Sequence, residues 1–433
     1  VSGHGTQSFY YPPKAEPNCN NCHMKLVASD DFGARERDDS GELKVHDHQF
    51  PSANTAISVF ADAPESIAAH EKFNEGVMRV DLFALRQGGT LEGELAAPLR
   101  PETPALQPGQ SYLFDAVVRT VKMGHNFTGG TSDSNEMWLD VVVKSGERVI
   151  GRSGGRAEDG QVDPWSHFIN VYMLDRHGNR IDRRNAQDIF VPLYDHQIPP
   201  GAADVVHYRF DVPPDVSEPV TIEVALRYRK FDTTFVRHFQ GDEFQGNDFH
   251  IMELAKDALT LAVAGAAVGE QKSAIDPWQR WNDYGIGLLR KAGATGPAGE
   301  LRQAEVAFKK VEELGRAEGP LNLARVYLRE GRLDEAAAAL KRAGEHQPPA
   351  YAWSLLWFGG MVSKQNGFLD EAVASFKKLD TLDTEETRKR GFDFSKDYRM
   401  LNELGQTLYE RAKEERGEQR SARRQELLTK AIG

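Results

Sequence analysis

The hexapeptide Gly331-Arg332-Leu333-Asp334-Glu335-Ala336 returns as Gly367-Phe368-Leu369-Asp370-Glu371-Ala372, an interval of 36 residues, and no other feature limits the possible folds so strongly. A weaker copy, Gly299-Glu300-Leu301-Arg302-Gln303-Ala304, lies 32 residues before the first. Intervals close to ~34 residues mark paired helices that bury their apolar faces only by stacking on the next pair. Pro348 and Pro349 fall at an expected boundary between units. Asn322, Ala324 and Tyr327, then Trp357, Gly359 and Gly360, occupy first-helix positions, where small residues let paired helices approach. A fourth unit starts near Tyr398-Arg399-Met400-Leu401 and is incomplete.

That period assigns residues 277–433 to an α-helical tetratricopeptide-repeat solenoid, truncated at its C-terminal end and preceded by a linker from Gly269 to Pro277. From 106 to 268 the pattern is period two instead. It runs through Tyr112–Arg119, Met137–Val143, Val205–Phe210 and Val220–Tyr228. β-Branched and aromatic residues between Pro-rich and Gly-rich turns predict an immunoglobulin-like β-sandwich there. Residues 1–105 carry many Pro, Gly, Asp and His and few periodic apolar runs, so they read as irregular loops wrapped around something other than side chains. Within them Met78–Leu85 alternates weakly and reads as a first strand.

A chain of 433 residues exceeds one ordinary core, in keeping with these three segments. The formal charge of −12 argues against nucleic acid, anionic membrane surfaces and acidic partners. The longest apolar run, Leu259 to Val268, is well short of the roughly 18 to 20 residues that cross a bilayer. The chain opens at Val1 without a leader and stops inside a helical pattern, so it is expected to be a piece of a longer polypeptide.

Chemistry concentrates in Cys19-Asn20-Asn21-Cys22-His23. C-x-x-C-H is the spacing at which two thiols clasp one edge of a haem while the adjacent imidazole ligates its iron. A redox dithiol would not need the histidine, and a zinc thiolate site would need a second cysteine pair, which a chain with two cysteines lacks. Residues 1–105 are therefore expected to be a haem c-binding segment, with the apolar macrocycle as its core.

His23 is then the proximal ligand, and the opposite face of the iron is either empty or filled from the remaining histidines and the eight methionines. His48 is the preferred candidate, because the turn-rich run Val45-His46-Asp47-His48-Gln49-Phe50-Pro51 lies about one loop past the attachment motif. His46, His4 near the N-terminus and His125 between two predicted strands are further candidates, each with an ordinary reading as a loop residue. His70 reads as a helix-surface position. Met24 follows His23 directly and cannot easily reach across the ring, and Met123 is disfavoured.

The chain resembles bacterial multihaem c-type cytochromes of the cytochrome c-554-like group with C-terminal tetratricopeptide repeats. Asn18-Cys19-Asn20-Asn21-Cys22-His23-Met24, His48-Gln49-Phe50-Pro51, Gly124-His125-Asn126-Phe127, Gln197-Ile198-Pro199-Pro200 and Arg227-Tyr228-Arg229-Lys230-Phe231 carry the likeness. It implies that the His-x-Phe-Pro loop donates His48 as distal ligand and, less directly, that the Gly-His-x-Phe turn donates His125. Here Thr128 stands where proline is expected, and one C-x-x-C-H stands where relatives have several. The missing motifs are expected upstream of Val1, with His4, His46 or His125 serving haems attached there. A periplasmic or extracellular location is also implied.

The expected function is electron transfer through a bis-histidine haem to neighbouring haems or redox proteins, with the β-region and repeats docking protein partners or further cytochromes, including copies of itself. A multihaem oxidoreductase acting on a small nitrogen compound would need a vacant iron beside an acid or base, and no such pocket is legible. A repeat scaffold with a structural haem is the other alternative.

Overall fold

A computed structural model describes residues 18–127, 129, 134–263, 265–292 and 298–432. They fall into two compact units, one of residues 18–199 and 205–274, the other of residues 200–204 and 275–433.

The first unit begins with a single helical turn, α1 (Asn20–His23), and a small sheet of β1 (Leu26–Ala28), β2 (Arg35–Glu36) and β3 (Leu43–His46) in the order β1-β3-β2. Two helices follow, α2 (Thr55–Phe60) and α3 (Pro64–Asn74). Between residues 18 and 76 the only buried apolar side chains are Ala34 and Ala56. This stretch has no side-chain core worth the name. Its helices also correct the expectation of loops throughout.

The rest of the unit is built on β4 (Met78–Gln87), β5 (Leu95–Ala96), β6 (Ser111–Thr120), β7 (Glu136–Ser145), β8 (Arg148–Ser153), β9 (Val171–Leu174), β10 (Val191–Asp195), β11 (Ala203–Asp211), β12 (Val220–Arg229) and β13 (Ile251–Leu261), with α4 (Thr233–Gln240) before the last strand. One four-stranded sheet runs β11-β6-β4-β5, another β13-β12-β7-β8, and β9 pairs with β10. Each of the strands expected from period two is present, and β8 and β13 add to them. The boundary expected at residue 105 does not match a break in the fold, because β4 pairs with β6 from Met78 opposite Thr120 to Gln87 opposite Tyr112.

On β12 the alternation is direct: Val220, Ile222, Val224, Leu226 and Tyr228 are buried between partly exposed Thr221, Glu223, Ala225 and Arg227. β4 and β6 are instead buried almost along their whole length, so their charged residues must find partners. Arg100 donates to Asp257 at 2.8 Å, and the same carboxylate accepts the Leu82 N–H at 2.8 Å, joining β4 to β13. The Arg229 guanidinium, with no exposure, donates to Glu136 at 3.0 Å and to the carbonyls of Gly160 and Asn247.

The second unit holds α5 (Pro277–Lys291), α6 (Ala298–Glu313), α7 (Glu318–Glu330), α8 (Leu333–Glu345), α9 (Ala352–Gln365), α10 (Leu369–Asp380), α11 (Glu385–Arg390), α12 (Tyr398–Glu414) and α13 (Ser421–Ile432). Helices α5 and α6, α7 and α8, α9 and α10, and α12 and α13 pack as pairs. Gly331 and Gly367 supply the left-handed turns between paired helices, at φ of 73° and 81°. Gly299 does not, since it lies inside α6, yet Ala304, Ala336 and Ala372 are equivalently and wholly buried. In two of these pairs, α5–α6 and α9–α10, the close approach falls on one glycine: a Cβ on Gly285 would come 2.6 Å from Phe308, and one on Gly360 would come 2.6 Å from Phe376. No helix among the described residues is long and apolar enough to cross a membrane.

Candidate cofactor site

The α1 turn is closed by the His23 N–H donating to the Cys19 carbonyl at 2.9 Å. Residues three apart share a helix face, so the turn presents Cys19 and Cys22 together with His23 one position on. Both thiols are exposed and lie outside any disulfide. The His46 Nδ1–H donates to the Met24 carbonyl at 2.6 Å, tying the end of the turn to β3.

His23 is held by contacts from three other segments. Its Nδ1–H donates to the Pro51 carbonyl at 2.7 Å. A carbonyl only accepts, so this bond assigns the proton to Nδ1 and leaves the Nε2 lone pair for a metal. Phe50 stacks on the imidazole at 4.8 Å and 10°, and Phe73 of α3 lies at 5.0 Å. The ring of His125, from the connection between β6 and β7, lies 6.3 Å from that of His23 and within 19° of parallel. The His125 Nδ1–H donates to the Asn126 carbonyl at 2.9 Å, so its Nε2 also keeps a lone pair. Two residues on, buried Phe127 anchors this connection against Tyr228 at 5.3 Å.

Of the residues singled out from the sequence, Cys19, Cys22, His23 and His125 are thus gathered at one place. His46 is on β3 with its Nδ1 committed to the Met24 carbonyl, and His48 is exposed in the turn after β3. His4 lies outside the described residues.

Sequence reasoning missed Phe50, Phe73, His70 and Asn74. His70 corrects its assignment to a helix surface: it is 6% exposed. Its Nδ1 accepts the Ser52 N–H at 2.8 Å. Burial holds its pKa below the ordinary histidine value, and the Ser52 N–H, which needs the Nδ1 lone pair, also favours the neutral ring. Asn74, one turn on along α3, donates to the Ser52 carbonyl and to the His70 carbonyl. The i, i+4 spacing of His70 and Asn74 was the available signal, but two polar residues on a short helix ordinarily face water.

Among the described residues no group of three or more His, Cys, Asp or Glu could enclose a metal ion. A haem asks for less: two thiols, one or two imidazoles with free Nε2, and apolar surface to cover. The donors are present, and Val27, Leu43, Phe50, Ile57 and Phe60 stand exposed on a stretch without a core. The residues fit a covalent haem.

Residues 298–356 match the tetratricopeptide repeat family, so the helical unit contains such repeats, whose arrays usually bind other proteins. No curated protein matches the chain. Among solved structures, a penta-heme cytochrome c552 from Thermochromatium tepidum is similar over 60% of this chain and 51% of its own, at 14% identity and a TM-score of 0.35. The chain spans about half the length of that protein, and a likeness this loose carries no inference.

Proposed function

We propose that this chain is an electron-carrying c-type cytochrome, with one haem bound through thioethers to Cys19 and Cys22 and ligated by His23. The observation that carries the reading is the absence of an apolar side-chain core between residues 18 and 76, beside an imidazole whose Nε2 lone pair is kept available by the Pro51 carbonyl. Burial of the macrocycle would supply the missing apolar contact at ~25 cal/mol per Å².

In this reading His125, rather than His48, would hold the iron together with His23. Its ring lies 6.3 Å from that of His23 and both keep an Nε2 lone pair, so the two imidazoles would be at hand to hold the iron. When bound, a six-coordinate haem supplies one-electron exchange without gain or loss of a ligand. The protein's own part is to orient His23, shield it with Phe50 and Phe73, and hold the attachment turn on β3.

The strand order supports an immunoglobulin-like sandwich for the β-region. In chain order β4, β6, β7, β8, β11, β12 and β13 fall as strands A, B, C, C′, E, F and G, with A-B-E in one sheet and C′-C-F-G in the other. The sandwich and the repeats then serve as docking modules for redox partners, in a periplasmic or extracellular setting where haem is attached covalently. Membership of the cytochrome c-554-like group belongs to the same proposal.

The test is spectroscopic. The full chain, produced with haem-attachment machinery, is expected to show a low-spin reduced spectrum indifferent to carbon monoxide. His125→Ala is expected to give a high-spin, carbon-monoxide-sensitive haem, while His48→Ala leaves the spectrum unchanged. The opposite pattern moves the ligand to His48, and a chain that takes up no haem refutes the reading.

A further inference from the structure

Resting on the haem reading above, we infer that His70 and Asn74 are positioning residues that hold the Pro51 carbonyl on His23 and so set the electron-donating strength of the proximal imidazole. Phe50 has φ of +47°, the left-handed region, although it is not glycine and precedes a proline, a place that favours extended backbone. Such a conformation persists only where its surroundings hold it. Pro51 has no N–H to anchor itself. The next donor along the chain is the Ser52 N–H, which the His70 Nδ1 accepts at 2.8 Å. The Ser52 carbonyl is taken by the Asn74 amide, which also donates to the His70 carbonyl at 2.8 Å.

One face of α3 therefore grips both polar groups of Ser52, and the neighbouring Pro51 carbonyl is left aimed at His23 Nδ1 at 2.7 Å. His70 and Asn74 are 6% and 4% exposed, so water does not readily replace either bond. A carbonyl accepting from the remote nitrogen of a ligating imidazole raises the basicity of that ligand. A more basic ligand favours the ferric iron, and release of the grip favours the ferrous form.

Redox titration of the haem-loaded full chain tests this through His70→Leu and His70→Asn, the latter placing an amide oxygen where Nδ1 stood. His70→Leu is expected to move the ferric–ferrous equilibrium toward ferrous by about tenfold, or 59 mV for one electron, at unchanged haem content and low-spin spectrum. His70→Asn is expected to restore most of that shift. An unchanged potential in His70→Leu overturns the grip and leaves the haem reading intact; a wild-type chain without covalent haem overturns both. Should His70→Leu not fold, hydrogen exchange in the wild type decides: a protected Ser52 amide with His70 protonated at Nε2 supports the grip, and a freely exchanging Ser52 amide overturns it.

Discussion

His23 owes its tautomer to a single carbonyl, and that carbonyl owes its position to residues that never touch the imidazole. His70 is the titratable member of this chain of contacts. Its depressed pKa means that the unfolded chain, with a histidine pKa near 6.5, binds a proton more readily than the folded one. The stabilisation from neutral, buried His70 is thus complete above about pH 6.5 and declines as pH falls toward the folded-state value. Protonation would also turn Nδ1 into a donor facing the Ser52 N–H. Urea unfolding of the first unit is expected to show a lower midpoint at pH 5.5 than at pH 7.5 for the wild type, with a smaller difference for His70→Asn, which cannot titrate. Equal pH sensitivity of the two proteins would contradict this.

Among the elements, the paired helices and the paired strands tolerate change at different places. Gly359 and Gly360 are adjacent in α9, yet only Gly360 meets Phe376, while a Cβ on Gly359 would enter open space. Gly359→Ala is expected to stabilise the helical unit by about 0.5–1 kcal/mol, because alanine gives up less backbone freedom. Gly360→Ala is expected to lose about 1–3 kcal/mol by forcing the phenyl ring aside. Thermal unfolding of the two variants shifts in opposite directions if the pair packs as described. In the β-region, Arg229→Met leaves Glu136 buried without its cation and is expected to cost about 3–5 kcal/mol. Adding Glu136→Leu is expected to recover much of that loss, since two apolar residues in contact need no compensating charge. A double variant as unstable as the single one would show that the guanidinium matters more to the Gly160 and Asn247 carbonyls than to Glu136.

At the scale of the whole chain, each of the two units carries its own buried residues, and the segment proposed to bind haem belongs to only one of them. The double variant Cys19→Ala/Cys22→Ala is therefore expected to lose covalent haem while the far-ultraviolet helical signal and its thermal transition persist. Collapse of the helical signal would mean that the cofactor organises far more than its own segment. Local patterns were enough to read the repeat period, the strands of β4, β6, β7, β11 and β12, and the C-x-x-C-H turn, because 3.6-fold and twofold periodicity and a one-turn motif are properties of neighbouring residues. They did not reveal that β4 pairs with β6 across the expected boundary at residue 105, or that Gly299 falls within a helix while its two counterparts make turns. Nor did they bring His125 beside His23, or place His70 and Asn74 beneath the Pro51 loop. Those choices were made by tertiary structure, since they depend on which distant segments come into contact and which polar groups that contact removes from water.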